Sequence, residues 1–160
     1  ELARVMEPRT SIPAARLRAV KELNDAGVPT GVMVAPIIPA LNDSEIPAIL
    51  EAVSGAGAWR ANYTLLRLPL TVRPVFENWL EEHLPAQRER ITHAIQGTRG
   101  GNMNDARFGS RMRGTGLLAD QVARTFDVFR RKYRLTRDFP KLETSLFLPP
   151  AAPNGQKYLF

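Results

Sequence analysis

The chain has 160 residues, 44% of them hydrophobic, which suffices for one domain with a real core. No apolar run approaches the roughly 18 residues of a membrane span, and nothing resembles a signal peptide, so a cytoplasmic protein with no membrane partner is expected. The absence of cysteine excludes disulfides, thiolate metal sites and cysteine nucleophiles within these residues.

The net charge of +6 is unevenly placed: residues 97–137 hold ten Lys or Arg against Asp105, Asp120 and Asp127. That asymmetry points to an anionic partner, nucleic acid first, with a solvated basic helix as the bland alternative. The opening ELARVMEP reads as helix in mid-flow, as in a chain cut from something longer.

Ser11 can cap a helix over about 12–26, with Pro13 in its first turn, Leu17, Val20 and Leu23 as its apolar stripe and Gly27 as its stop. Residues 31–37 form a short, continuously apolar run, the pattern of a strand buried on both faces, ended by Pro36 and Pro39. Asn42, Asp43 or Ser44 then caps a second helix carrying Ile46, Ile49, Leu50 and Val53 and stopping near 55–57. Residues 61–68 are the next strand, with Tyr63, Leu65 and Arg67 on one face and Thr64, Leu66 and Leu68 on the other. A helical crossover of this length implies parallel pairing of the two strands.

Beyond residue 73 the pattern changes. Helices over about 74–83 and 86–96 lead into a glycine-rich loop, 97–116, and a longer helix over about 117–133 with Leu118, Val122, Phe126, Phe129 and Tyr133 near helical spacing. The proline-rich remainder reads as an extended tail. Three units result: βα units over 1–72, a helical extension over 73–137 and a tail over 138–160.

Several motifs in the first unit carry a resemblance: Glu7-Pro8-x-Thr10, Arg16-Leu17, Ala26-Gly27-x-Pro29-x-Gly31 and Val34-Ala35-Pro36-Ile37. On these the chain resembles the spore-photoproduct-lyase-like branch of the radical S-adenosylmethionine (SAM) enzymes, loosely called DNA repair photolyases. The resemblance implies the C-terminal part of a partial parallel (β/α)6 barrel followed by a helical extension. It also implies a parent enzyme that cleaves SAM reductively at a [4Fe–4S] cluster to make a 5′-deoxyadenosyl radical, with nucleic acid as a candidate substrate. Family members hold that cluster through a CxxxCxxC motif. These residues lack it, so the cysteine-bearing N-terminal half is a missing partner, and the chain alone is expected to be inactive.

In a parallel barrel the loops after the strands face the ligand, which singles out residues 35–39 and 67–69. By resemblance, backbone groups at Ala35, with Pro36 and Ile37, contact SAM; a strand merely ended by prolines would read the same way. Arg67, at the end of an apolar strand, needs an anion: the SAM carboxylate, a substrate phosphate or a site acid, unless a structural glutamate or the rim receives it. Arg16 and Glu7 match the family's EP…R pattern, as a helix-to-helix salt bridge near the cofactor or as a direct SAM contact.

The loop over 99–116 has freed backbone N–H groups, Asn102 and Asn104 as donors, and Arg107, Arg111 and Arg113 as candidate phosphate forks. It also resembles a GG-x-x-x-D-x-RFG-x-RM-x-G-x-G stretch in the same branch. Phe108 and Met112 could stack or pack beside the arginines, and a plain solvent loop is the alternative. His83 and His93 lack the company a metal would need, while Trp59, Trp79 and Phe76 read as packing residues. The last five residues, with Gln156, Leu159 and Phe160, resemble the Q-x-x-L-F pentapeptide by which bacterial repair proteins dock on the DNA sliding clamp. A non-catalytic nucleic-acid-binding or interaction module is the alternative to the enzyme reading.

Overall fold

A computed structural model describes residues 2–148. Its helices are α1 (Leu2–Met6), α2 (Pro13–Asp25), α3 (Ile46–Gly55), α4 (Val72–His83), α5 (Arg88–Gly97) and α6 (Leu117–Lys132). The strands β1 (Gly31–Ile37) and β2 (Arg60–Leu65) pair in parallel. The described residues thus form a small α/β fold with two parallel strands and six α-helices. The expected barrel is not among them, since two strands cannot close a sheet on itself.

The register Val32↔Ala61 and Val34↔Tyr63 puts alternate residues of both strands into one core with Leu50 and Val53 of α3 and Val122 and Phe126 of α6. A second cluster lies beyond the strand ends, where Ile38 and Leu68 meet Phe76, Leu80, Ile91 and Ile95 of α4 and α5. Helix bounds follow the apolar spacing closely, but the expected caps do not form. Neither Ser11 nor the Asn42–Ser44 segment caps a helix N-terminus through its side chain. Instead a turn of 3-10 helix over Asp43–Glu45 leads into α3, and the Ser11 carbonyl accepts a bond from Arg16 Nε. The second strand ends at Leu65, short of the expected residue 68.

The larger correction concerns β1. A strand buried on both faces was expected, yet Gly31, Met33 and Ala35 are exposed and only the alternate positions turn inward. The cause is topological. Helices cover one face of the pair, while among the described residues no layer covers the other, and β1 has β2 as its sole strand partner. Met33, 59% exposed, is an apolar side chain with Thr64 Oγ1 beside its sulfur at 3.9 Å.

The two sheet edges differ. The outer edge of β2 is closed by the chain's own later segments: Ala61 N–H donates to Leu135 C=O, and Leu65 N–H to Met112 C=O at 2.9 Å. Gly114 shows why a glycine is needed beside the second of these. Its φ is +75°, and a Cβ there would lie 2.8 Å from both Leu65 Cδ1 and the Thr98 carbonyl. The edge of β1 has no such closure among the described residues.

Candidate functional site

Parallel pairing brings the two strand-end loops to one end of the sheet. Ile37 stands opposite Leu65, and Leu66 N–H donates to Ile37 C=O at 2.9 Å. The 35–39 segment and Arg67 therefore share the C-terminal end, as their sequence positions implied. The Ala35–Pro36 bond is cis. Asn42 holds the turn that follows, accepting from Ile38 N–H at 2.7 Å and donating to Pro36 C=O at 3.1 Å. Asn42 was expected only as a helix cap; its bonds to the strand end are what sequence reasoning missed.

Along the β1 edge runs a groove of about 500 Å³, and Ala35, Pro36, Met33, Met6, Glu7 and Arg16 are among its walls. Glu7 and Arg16 meet there: Arg16 Nη2 donates to Glu7 Oε2 at 2.9 Å and to Thr10 Oγ1 at 2.8 Å. The Arg16 guanidinium holds the Glu7 carboxyl below its ordinary value, with Thr10 assisting against partial burial. Two of the named candidates do not line the groove. Ile37 is 1% exposed and belongs to the core, and Arg67 stands outside the groove wall.

Arg67 is half-buried, with its Nε shielded and unbonded, and no carboxylate pairs with it among the described residues. Its neighbour is another cation. Arg99 is 2% exposed, and its guanidinium donates to four backbone carbonyls: Leu65 and Leu66 at the end of β2, and Ser110 and Arg111 in the glycine-rich loop. Burial pushes the Arg99 pKa down, Asp105 opposes this, and the charge of Arg67 adds to it. Arg99 is therefore a structural clasp, and it leaves the set of basic residues available to an anion. Composition alone cannot separate such an arginine from a solvent-exposed one. The Nε atoms of Arg67 and Arg99 are both shielded and without a partner among the described residues.

The three loop arginines differ in freedom. Arg107 is committed to Asp105, which accepts its N–H at 2.9 Å, its Nε at 3.0 Å and its Nη2 at 3.2 Å, and also the Ser110 hydroxyl at 2.6 Å. Those bonds, the Arg107 guanidinium foremost, hold the Asp105 carboxyl far below the usual aspartate range. Arg113 lies over the Tyr63 ring at 4.1 Å and donates to Asn62 Oδ1. The Arg111 guanidinium lies over the Phe108 ring at 5.4 Å, and Phe108 is 92% exposed. On α6, Arg130 and Arg131 both pair with Asp127.

His83 and His93 are exposed on α4 and α5, and the described residues contain no cluster of metal-ligating side chains. Trp79 stacks near Phe76 and Trp59 beside Phe139, so both serve packing. Gln156, Leu159 and Phe160 lie outside the described residues. No helix among the described residues is long and apolar enough to cross a membrane.

The chain is similar to two mycobacterial proteins described as uncharacterized, Rv2578c of Mycobacterium tuberculosis and Mb2609c of Mycobacterium bovis. Each is 36% identical to it over 87 residues, which is 53% of this chain and 26% of the relative. The chain thus matches only a minor part of the length of these relatives. No family model matches it, and no solved structure does.

Proposed function

We propose that these residues are the C-terminal part of a radical SAM enzyme of the spore-photoproduct-lyase-like branch, completed by a cysteine-bearing segment outside the 160 residues. The observation that carries the reading is that, among the described residues, the edge and one face of β1 beside Ala35 and Pro36 are left open. A two-stranded parallel sheet with one bare face is unusual, because parallel sheets are as a rule covered on both faces. Further strands on the β1 edge that curl the sheet into a partial barrel would enclose the face carrying Met33 and turn the groove into an interior wall.

The residues fit one of the two implied cofactors. SAM needs apolar walls for its adenosyl part and main-chain polar groups to read it; the groove and the free β1 edge offer both, with Ala35 small and exposed. Arg67 then supplies a cation at the same end of the sheet for a carboxylate or phosphate. The [4Fe–4S] cluster does not fit, because cluster ligation needs thiolates and the chain has none. SAM cleavage is therefore assigned to the completed protein. Nucleic acid is the proposed substrate class, favoured by the half-buried Arg111 beside the exposed Phe108 ring on the basic loop, and the C-terminal pentapeptide is proposed to dock on a sliding clamp.

The test is anaerobic reconstitution, with iron and sulfide, of a longer protein containing this chain and its cysteine-bearing segment. Reduction in the presence of SAM should release 5′-deoxyadenosine. Full cluster loading without any 5′-deoxyadenosine would remove the radical SAM reading and leave the interaction-module alternative.

A further inference from the structure

We infer that Phe108 is a stacking platform for an unpaired nucleobase, with Arg111 placed to meet the adjoining phosphate; this rests on the nucleic-acid reading above and names the contact. Phe108 is 92% exposed, the most exposed aromatic ring among the described residues, and the Arg111 guanidinium lies over it at 5.4 Å. A floppy loop could fold such a ring inward. This loop is held on both sides of it. Asp105 fastens Arg107 and Ser110, Arg111 N–H donates to Arg107 C=O at 3.0 Å, and buried Arg99 grips the carbonyls of Ser110 and Arg111.

The charge around the ring says what should cover it. The segment Arg107–Arg113 carries three arginines, and the nearby acid, Asp105, is already bound to Arg107. An apolar ring in a cationic frame suits a ligand that combines a flat π-surface with negative charge, which is the composition of a nucleotide. A base inside a duplex keeps its faces hidden by its neighbours, so the ligand is a single strand, or a base taken out of the stack. Stacking uses a face that every base possesses, so the contact is indifferent to sequence.

The experiment titrates the full 160-residue chain into 12-nucleotide single strands of DNA and of RNA, each with a central 2-aminopurine, and into the matched DNA duplex. The wild-type chain should quench 2-aminopurine emission in a single strand. Phe108→Ala should abolish the quench and weaken binding about 5- to 100-fold, with an unchanged circular dichroism spectrum. Phe108→Trp should restore binding, with quenched tryptophan emission. The DNA and RNA arms tell which backbone is preferred. Binding with the same affinity and quench in Phe108→Ala would overturn the stacking role while sparing the phosphate contacts. Tighter binding to the duplex without quench would also overturn it, and no binding to any oligonucleotide at low salt would overturn the nucleic-acid reading along with it.

Discussion

The Arg99 guanidinium lies 2.6 Å from the carbonyl oxygen of Leu66, and through this bond the glycine-rich loop is fastened to the end of β2. The same side chain reaches Ser110 and Arg111 on its other flank, so one arginine bridges two backbone segments that pair poorly with each other. Its planar fork is what makes four acceptors reachable; an ammonium is a point donor and cannot span them. Arg99→Leu leaves buried carbonyls without donors and should cost on the order of 3 kcal/mol. In a chain of this size that lowers Tm by about 6–12 °C. Arg99→Lys should recover less than half of the loss. A thermal melt of both variants decides, and a Tm within 2 °C of wild type for Arg99→Leu would show that the clasp is dispensable.

Asp105 sets the pH range over which the loop keeps its shape. Its folded-state pKa is lowered, chiefly by the Arg107 guanidinium and then by Ser110 and the Arg107 N–H. A carboxyl depressed on folding stabilises the ordered loop at every pH above its ordinary value of 3.8, and the contribution fades as pH falls from there toward the folded value. In a Phe108→Trp background, tryptophan anisotropy should stay flat from pH 7 to about pH 4 and drop below that. Asp105→Asn should give the low, mobile value at every pH. A transition centred near neutrality would assign the ordering to another group.

The open face of β1 predicts a substitution whose effect depends on what else is present. Met33→Glu in the 160-residue chain alters an exposed position and should change stability by no more than about 0.5 kcal/mol. In a longer protein whose added strands curl the sheet into a partial barrel and enclose this face, the same carboxylate becomes buried and unpaired, and the cost should reach about 2 kcal/mol or more. Urea melts of the two proteins make the comparison. Equal, small effects in both would mean that the face stays open.

What could be read in the sequence was what periodicity and turn chemistry encode locally. The spacing of Leu17 and Val20, the apolar run over 31–37 and the stripe Val122, Phe126 and Phe129 each located an element to within a few residues. Covering layers were not legible. A continuous apolar run looks the same whether its second face meets side chains or solvent, and Met33 meets solvent here. Nor could counting charges sort the loop arginines. Arg99 is spent on carbonyls, Arg107 on Asp105 and Arg113 on Tyr63 and Asn62, all through contacts that follow from where β2 ends. The strand-end geometry joining Ile37 to Leu66 was legible, because parallel pairing leaves it no alternative.

The C-terminal residues Gln156-Lys157-Tyr158-Leu159-Phe160 can be tested as a peptide. Leu159 and Phe160 suit a hydrophobic pocket and Gln156 its polar rim, while Lys157 replaces the leucine common at that position. Weak docking, of about −8 kcal/mol or micromolar Kd, is the expectation. Labelled NGQKYLF titrated against a purified sliding clamp should bind measurably, and a control with Gln156→Ala and Phe160→Ala should not. Negligible signal from both would remove the clamp as a partner.

Salt dependence separates the loop arginines by what each already holds. If the patch neutralises six phosphates, log K should fall with log salt at a slope of roughly −4 to −5. Counting residues alone would give each of Arg107, Arg111 and Arg113 an equal share of that slope. The geometry gives unequal shares. Arg107 faces a carboxylate that accepts three of its N–H groups, and releasing it to a phosphate would strand the Asp105 charge. Arg111 pairs with no carboxylate among the described residues, and its guanidinium sits beside the exposed ring. Arg111→Gln should therefore flatten the slope by about 0.7–0.9, Arg107→Gln should leave it nearly unchanged, and Arg113→Gln should fall between them. Binding isotherms at four salt concentrations for each variant measure all three slopes. Equal losses for Arg107→Gln and Arg111→Gln would mean that the Asp105 pair opens on binding and that the loop is remodelled by its ligand.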